Sequence, residues 1–256
     1  MTFNRSSRLA RREFFGCMVA GAAAALVAGT PFAAWAQVIT AAPNVAGMKI
    51  AMIGAGREGG ALGTLYAKHG HPVMFASRHP EQLKDLVASA GALTKAGTVE
   101  EAIAFADVVF LVVPYTAVEQ IGKEQGKALS GKPLVVDVSN PIARRDGEEL
   151  VKQVNDQGGA GLMTQKYLPG AHIVRAFNAI GASTLAELSE KKGEIGVPIA
   201  GDDPKAIDLA SALIREVGFE PVLVGGLAMG KYLVPGTPLS GAHSPAEIKQ
   251  AATGLK

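Results

Sequence analysis

Short apolar runs alternate with longer stretches of mixed polarity along most of this chain. The apolar runs are four to six residues long and are rich in Val, Ile, Leu and Ala, which is typical of strands buried on both faces. The predicted strands are Lys49–Ile53, Val73–Ala76, a short segment near Ala92–Thr94, Val108–Val113, Pro133–Val138, His172–Ala176, Val197–Ala200 and Pro221–Val224. Predicted helices cover Glu58–His69, Pro80–Ala90, Val99–Phe105, Thr116–Leu129, a segment from Ser183 or Thr184 to Lys191, and residues 204 to about 217. This alternation predicts an α/β fold with a doubly wound, mostly parallel sheet in a single domain.

The first strand runs directly into a glycine-rich turn and then into a helix. The glycines Gly54, Gly56 and Gly59 have the spacing of the turn that holds a dinucleotide pyrophosphate. Arg57 and Glu58 begin the helix, whose N-terminal N–H groups favour an anion, and we include both residues in the predicted cofactor site. A plain strand–turn–helix junction is the alternative interpretation.

The end of the second predicted strand bears on the choice between NAD and NADP. Ser77 and Arg78 follow this strand about 20 residues after the glycine turn, where NAD-binding proteins carry an acidic residue. A guanidinium and a hydroxyl suit the oxygens of a 2′-phosphate, so the pair predicts NADP. Alternatively, Arg78 is a solvated surface charge that pairs with Glu81.

Polar and backbone-constraining residues follow three further predicted strands. Ligands of parallel sheets bind beyond the carboxyl ends of the strands, so we expect these residues to line the nicotinamide side of the site. The candidates are Pro114, Tyr115, Asn140, Pro141 and Asn178. The asparagine amides could bond a carboxamide, or they could cap the helices that follow.

The N-terminal 36 residues have the pattern of an export signal. Arg11 and Arg12 stand at the end of a basic region, an apolar stretch follows, and Ala34-Trp35-Ala36 fits a cleavage site. We therefore predict that 1–36 is a cleaved twin-arginine signal, that the export machinery is a partner, and that the protein is periplasmic or otherwise exported. A membrane anchor is the alternative, which the short apolar run disfavours.

Removal of this segment changes the charge and the cysteine content. Four arginines and Glu13 leave with it, so 25 basic and 23 acidic residues become 21 and 22, a net charge of −1 with neutral histidines. The only cysteine, Cys17, also leaves. A chain without a basic tract gives no reason to expect nucleic acid or a stable membrane anchor. We expect 37–47 to be a flexible leader and the remaining residues to suit one domain.

Several of these motifs together resemble the NADPH-dependent reductases of the deazaflavin coenzyme F420. The resemblance covers most of residues 48–226 and rests on Met52–Gly56, Gly70–Val73, Ser77–Glu81, Val112–Tyr115, Val136–Pro141, Arg175–Asn178 and Gly201–Asp203. It implies a Rossmann domain in which the glycine turn holds the pyrophosphate and the Ser-Arg pair holds the 2′-phosphate. It also implies that Pro114, Asn140 and Asn178 line the nicotinamide and a flat acceptor. Residues 227–256 form an extension that the resemblance does not cover.

The sequence offers no acid–base or nucleophilic constellation and no metal-ligand spacing, so the catalytic residues stay open. Hydride transfer needs mainly close stacking and orientation of two rings. The sequence therefore predicts an NADP(H)-dependent oxidoreductase that passes hydride to a small deazaflavin, flavin, quinone or metal-chelate acceptor. An exported nucleotide-binding protein without turnover is the alternative, and a homodimer is left open.

Two further expectations concern titratable residues outside the motifs. The histidines around the second strand, His69, His71 and His79, are expected on the surface. Asp137 lies within an apolar run, which predicts a buried, hydrogen-bonded structural carboxylate and not a base.

Overall fold

A computed structural model describes residues 42–255 and shows an eight-stranded sheet flanked by helices. The strands follow the order β3-β2-β1-β4-β5-β6-β7-β8, and every neighbouring pair is parallel except β6 and β7. Their bounds are β1 Ile50–Ile53, β2 Val73–Ala76, β3 Thr94–Gly97, β4 Val108–Leu111, β5 Val135–Asp137, β6 Ile173–Arg175, β7 Gly196–Gly201 and β8 Glu220–Gly225. The predicted doubly wound α/β class is confirmed. The third strand is an exception in position, because it begins at Thr94 where the sequence predicted its end.

Ten α-helices connect or cover these strands within residues 42–255. They are α1 Arg57–Lys68, α2 Lys84–Ala90, α3 Val99–Phe105, α4 Val118–Ser130, α5 Ala143–Asp146, α6 Glu148–Asp156, α7 Ala160–Tyr167, α8 Leu185–Ser189, α9 Pro204–Glu216 and α10 Pro245–Thr253. Single 3₁₀ segments precede α2 and α4, so the two predicted helices there begin with a tighter turn. A capping box begins α3, because Thr98 and Glu101 bond each other's backbone N–H groups.

Both faces of the central strands are buried, which explains their continuous apolar sequence. In β1, Ile50 and Met52 pack into the core on the α1 side, whereas Ala51 and Ile53 pack into the core on the opposite side. Successive side chains of a strand point to opposite faces, so one apolar run supplies two layers. This packing holds the strand ends in fixed positions.

The C-terminal extension is folded against the last two strands. A 3₁₀ segment, Leu227–Tyr232, leads through a loop to α10, whose N-terminus is capped by a reciprocal pair of Ser244 and Glu247. Ile248 of α10 packs with Leu233 and Val222 in a small separate core. Residues 227–255 therefore pack against β7 and β8 as part of the same compact unit.

The prediction for one histidine is wrong. His69 and His79 are exposed as expected, but His71 is fully buried. Its Nδ1 lies 2.9 Å from the Met48 carbonyl oxygen and its Nε2 lies 3.1 Å from Glu216 Oε2. A histidine with a partner at each ring nitrogen can be buried at low cost, so this residue ties α9 to the start of β1.

The predicted export signal, 1–36, lies outside the described residues. Of the predicted leader, residues 42–47 are described, and Val45 is buried in the main core. Between Ala42 and Leu255 the structure contains no helix that is both long enough and apolar enough to cross a bilayer.

Candidate cofactor site

The three motif glycines differ in what surrounds them. At Gly54, φ is +100° and a Cβ would lie 2.2 Å from the Val112 carbonyl oxygen. At Gly59 a Cβ would lie 1.9 Å from the Gly54 carbonyl oxygen, so α1 packs directly on the turn. At Gly56 a Cβ would meet no described atom within 4 Å. Two glycines therefore allow the turn to form, and the third leaves open space in front of it.

This open space belongs to a cavity of about 670 Å³ at the carboxyl ends of four neighbouring strands. It is bounded by the turns that follow β1, β4, β5 and β6, and by two residues of the C-terminal extension. The lining residues are Gly56, Arg57, Glu58, Gly59, Val112, Val113, Pro114, Val138, Ser139, Asn140, Ile142, Arg145, Phe177, Asn178, Ala179, Ile180, Gly181, Ala182, Ser183, Pro235 and Ser240. No side chain caps the N-terminus of α1, so its first N–H groups are available to a ligand.

The structure brings seven of the twelve predicted cofactor residues to this cavity. Those seven are Gly56, Arg57, Glu58, Gly59, Pro114, Asn140 and Asn178. Gly54, Ser77 and Arg78 are not among its lining residues; the last two follow β2, the strand that pairs with β1. Pro141 lines a separate, smaller cavity with residues of α6 and the C-terminal loop.

Tyr115 is placed in the core and not at the cavity, contrary to the expectation. It is 1% exposed, and its hydroxyl lies 3.0 Å from the Ala160 carbonyl oxygen and 3.1 Å from Thr164 Oγ1. Burial is the main cause that raises the pKa of this phenol well above its usual range. The side chain therefore joins α7 to the turn after β4.

The end of β2 presents an exposed cation beside a half-buried hydroxyl. Among residues 42–255, Arg78 has no ion-pair partner, and Glu81 instead lies 3.4 Å from the ring of His79. Ser77 Oγ accepts a hydrogen bond from the backbone N–H of His79 at 3.1 Å, which fixes the turn. The alternative pairing of Arg78 with Glu81 is therefore wrong, and the guanidinium is available for a phosphate.

The two asparagines of the site differ in how their amides are used. Asn140 donates from Nδ2 to the Asn178 carbonyl oxygen at 2.8 Å, and its Oδ1 accepts from Arg175 Nη2 at 3.2 Å. Asn178 donates from Nδ2 to the carbonyl oxygens of Asp137 and Ser139. Its Oδ1 is buried and has no partner among the described residues. Asn178 therefore offers an acceptor to a ligand, whereas Asn140 is occupied by the protein.

Phe177, immediately before Asn178, has a backbone conformation that is uncommon for its residue type. Its φ is +62°, and its buried ring packs edge-on against Phe219 at 5.9 Å between centroids. Left-handed backbone at a bulky residue persists only where the surroundings enforce it, and such positions cluster at ligand sites. The packed ring therefore fixes the direction in which Asn178 enters the cavity.

A buried ion pair lies directly beneath the asparagines. Asp137 and Arg175 are both fully buried, and Arg175 Nη1 donates to Asp137 Oδ2 at 2.5 Å. Asp137 also accepts hydrogen bonds from the hydroxyls of Ser139 and Thr164. The prediction of a buried structural carboxylate at Asp137 is confirmed.

Glu58 is the titratable carboxylate of the cavity lining. Burial raises the pKa of Glu58 to about 7, and a favourable backbone interaction with Ala182 and the charge of Arg57 only partly oppose this effect. Its Oε1 is buried without a partner in the described part of the chain. This group therefore keeps its proton to a higher pH than an exposed glutamate does, beside the N-terminus that suits a pyrophosphate.

Sequence reasoning missed several residues of the cavity. Arg145 reaches it from α5 and donates from Nη2 to the Asn140 carbonyl oxygen at 2.6 Å while it pairs with Asp146. The segment 181–183 also lines the cavity. The pair Arg144-Arg145, shortly after Pro141, is the sequence signal that could have indicated Arg145.

Between Ala42 and Leu255 no group of His, Cys, Asp and Glu side chains is arranged to hold a metal ion.

Comparison with known proteins agrees with this geometry. Residues 49–141 match the family model described as NADP oxidoreductase, coenzyme F420-dependent. The F420-dependent NADP reductase of Methanothermobacter thermautotrophicus is 30% identical over 206 residues, which span 75% of this chain and 87% of that protein. This chain belongs to the F420-dependent NADP oxidoreductase family. It is accordingly an NADP-dependent oxidoreductase, and NADP(H) is its nucleotide.

Two further proteins that are similar to this chain carry different names. Metalloreductase STEAP3 of Rattus norvegicus is 30% identical over 186 residues, which span 72% of this chain but only about a third (35%) of that protein. A hypothetical protein from Sinorhizobium meliloti superposes with a TM-score of 0.63 at 31% identity, over 75% of this chain and 93% of that one. Proteins with different names therefore share the matched part of this chain.

The residues present fit an NADP nucleotide. The open space at Gly56 leaves room for phosphates against the uncapped N-terminus of α1. Arg78 is unpaired where a 2′-phosphate would lie, and Asn178 Oδ1 is an unused acceptor where a carboxamide N–H would bond. When bound, the nicotinamide would supply or receive the hydride, and these residues would hold and orient it.

Proposed function

We propose that this protein catalyses hydride transfer between NADP(H) and a small flat acceptor. The observation that carries the proposal is the single cavity in which the glycine turn of β1 faces the strand-end turns of β4, β5 and β6. One end of this cavity suits the pyrophosphate, and the other, between Pro114 and Asn178, suits the nicotinamide. Orientation of two rings in a partly enclosed cleft is what hydride transfer chiefly requires of a protein.

The residues of the cavity support roles in binding and not in acid–base chemistry. Pro114 and the apolar residues Val113 and Ile142 offer surfaces against which a ring can lie, and they exclude water from it. Arg145 also lines this cavity, but its guanidinium is paired with Asp146, so it adds no unpaired positive charge that would select a charged acceptor.

The class of acceptor is part of the proposal. One relative is named an F420-dependent NADP reductase and another a metalloreductase, which supports a deazaflavin or a metal-containing acceptor as candidates. We propose the wider class of deazaflavin, flavin, quinone or metal chelate, since a cavity of about 670 Å³ admits one planar ring beside a nicotinamide.

The experiment is anaerobic oxidation of NADPH by purified protein against one acceptor from each of these four classes. We expect turnover with at least one class, and loss of that turnover in a Gly56→Val variant that retains its fold. Tight binding of NADPH without turnover by any class would favour the alternative, a nucleotide-binding protein without catalysis.

We also propose that the protein is exported as a folded, nucleotide-loaded molecule. The proposal rests on the twin-arginine pattern at Arg11 and Arg12 followed by an apolar stretch and a cleavage motif. Replacement of both arginines by lysine should leave the protein inside the cell, and wild-type protein from the envelope should carry NADP(H) through gel filtration. Envelope protein that is empty and binds NADPH only weakly would contradict the preloading.

A further inference from the structure

Arg175 joins parts of the protein that are distant in sequence. The side chain is fully buried in β6, and Nη1 is used by the ion pair with Asp137. Its Nη2 lies 3.0 Å from the Ser139 carbonyl oxygen, 3.2 Å from Asn140 Oδ1 and 3.4 Å from the Leu233 carbonyl oxygen. One guanidinium therefore connects β6, the turn after β5 and the C-terminal extension.

Two glycines make room for this side chain. A Cβ at Gly230, in the 3₁₀ segment of the extension, would lie 2.6 Å from Arg175 Cδ. A Cβ at Gly161, in α7, would lie 3.2 Å from the same atom. Contacts shorter than about 3.4 Å require the neighbour to move, and neither backbone nor side chain has free space here. The extension is thus shaped around this arginine at Gly230. At Gly161 the closest atom to a Cβ is the Leu227 carbonyl oxygen, at 2.2 Å, so that glycine lets the extension approach α7 beside the arginine.

The guanidinium determines how the amide of Asn140 is oriented. Arginine carries only donors, so the amide oxygen and not the amide nitrogen must face it. The Nδ2 of Asn140 then points to the Asn178 carbonyl oxygen, to which it donates at 2.8 Å. A flipped amide would place two donors against each other and two acceptors against each other, at the cost of both hydrogen bonds.

We propose that Arg175 is a positioning residue for the nicotinamide end of the site. It fixes Asn140, and Asn140 fixes the backbone of Asn178, whose unpartnered Oδ1 then accepts a hydrogen bond from a ligand amide. The extension takes part through the Leu233 carbonyl oxygen and through Gly230. The inference rests on the proposed function, because it assigns the ligand amide to the nicotinamide of NADP(H).

The test compares two nucleotides in one variant. Arg175→Lys keeps a cation beside Asp137, but one ammonium lacks the fork that reaches Asp137 and Asn140 together. Binding is measured by calorimetry for NADPH and for the 2′-phosphate of ADP-ribose, which lacks the nicotinamide. We expect the affinity for NADPH to fall about tenfold, the scale of one lost hydrogen bond, and the affinity for the shorter nucleotide to change less than about twofold.

A second variant decides the question if Arg175→Lys does not fold. Asn140→Ala leaves the buried ion pair intact and removes the amide that links Arg175 to Asn178, so we expect the same selective loss of NADPH affinity. Arg215→Lys is the matched control and should affect neither nucleotide, because Arg215 forms an exposed pair with Glu220 at the start of the edge strand β8 and neither residue lines the cavity.

Equal losses for both nucleotides, or no loss for either, would overturn the positioning role, since a general structural defect does not distinguish them. Wild-type protein that binds neither nucleotide would contradict the proposed function and this inference together. Wild-type binding of both nucleotides with variants that do not discriminate would overturn this inference alone.

Discussion

The side-chain amide of Asn140 donates a hydrogen bond to the backbone carbonyl oxygen of Asn178 at 2.8 Å. The two residues follow β5 and β6, so this bond ties together two strand-end turns at the mouth of the cavity. Asn178 is thereby held with its own amide oxygen unpartnered and buried. Asn140 thus holds the turn after β6 in place, and Asn178 keeps an acceptor for a ligand.

The choice of NADP over NAD is expected to depend on Arg78. Arg78→Ala should weaken NADPH binding by about 1.5–3 kcal/mol, the range for a hydrogen bond to a charged group, and leave NADH nearly unchanged. Titration of both nucleotides against the two proteins measures this difference. Lys84→Ala, which removes an exposed cation from the following helix, is the control and should affect neither. Equal losses for NADPH and NADH in Arg78→Ala would show that this arginine does not bind the 2′-phosphate.

Two glycines of the same motif should respond differently to substitution. Gly56→Val should fold normally, because a Cβ there meets no described atom within 4 Å, but it should not bind nucleotide, because the side chain fills the phosphate space. Gly59→Ala should lower the melting temperature, because its Cβ would lie 1.9 Å from the Gly54 carbonyl oxygen. Thermal melts with and without NADPH separate the two effects. Nucleotide binding by a folded Gly56→Val protein would disprove the assignment of the turn.

Removal of the Tyr115 hydroxyl should affect stability and not the nucleotide. Tyr115→Phe deletes the bonding partner of Ala160 and Thr164 in the core, for which we expect a loss of about 1 kcal/mol in the free energy of unfolding. Urea titration measures this loss, and the Kd for NADPH of the folded variant should stay unchanged. A selective loss of NADPH affinity with unchanged stability would show that Tyr115 takes part in nucleotide binding.

Glu58 should make both stability and nucleotide affinity depend on pH. Burial raises its pKa in the folded protein from 4.5 to about 7, so its stabilising contribution is complete below its unfolded pKa and is lost as the pH rises through the folded value. Between about pH 5 and about pH 8, wild-type protein should therefore lose stability relative to Glu58→Gln. NADPH affinity should fall over the same range, because an ionised carboxylate repels the pyrophosphate.

The exposed carboxylate Glu81 supplies the control for this pH effect. Glu81→Gln should keep the wild-type slope of stability against pH, whereas Glu58→Gln should flatten it. Calorimetry of NADPH binding in buffers of different ionisation enthalpy gives an independent measurement, with proton uptake expected in wild-type protein near neutral pH. Parallel pH profiles for wild-type and Glu58→Gln would contradict the role of this carboxylate.

The elements that the sequence predicted well are those whose pattern is set by burial. Strand β1 is apolar throughout because both its faces are covered, and Gly54 and Gly59 after it are required because a Cβ there would lie about 2 Å from a backbone oxygen. Strand β3 was placed too early because only its two end residues, Thr94 and Gly97, are buried, so it carries little apolar signal. The helices α5 and α6 were missed for the same reason, since Val154 is their only fully buried residue.

The site was harder to predict from the sequence than the fold, because a local sequence pattern does not show which distant residues meet in space. The strand-end rule correctly brought Asn140 and Asn178 to one place, yet it could not tell which amide the protein itself uses. That depends on Arg175, which lies 35 residues from Asn140. The same rule included Tyr115, whose side chain turns into the core, and omitted Arg145, which enters from a short helix. The sequence signal for α10 is the capping box that Ser244 and Glu247 form at its N-terminus.

The most direct test of the account is a crystal structure of the protein with NADP. We predict the pyrophosphate against Gly56 and the N-terminus of α1, the 2′-phosphate beside Ser77 and Arg78, and the nicotinamide in the cavity with its carboxamide on Asn178 Oδ1. A nucleotide bound outside this cavity, or one whose nicotinamide lies away from Asn178 with its 2′-phosphate away from Arg78, would contradict the account.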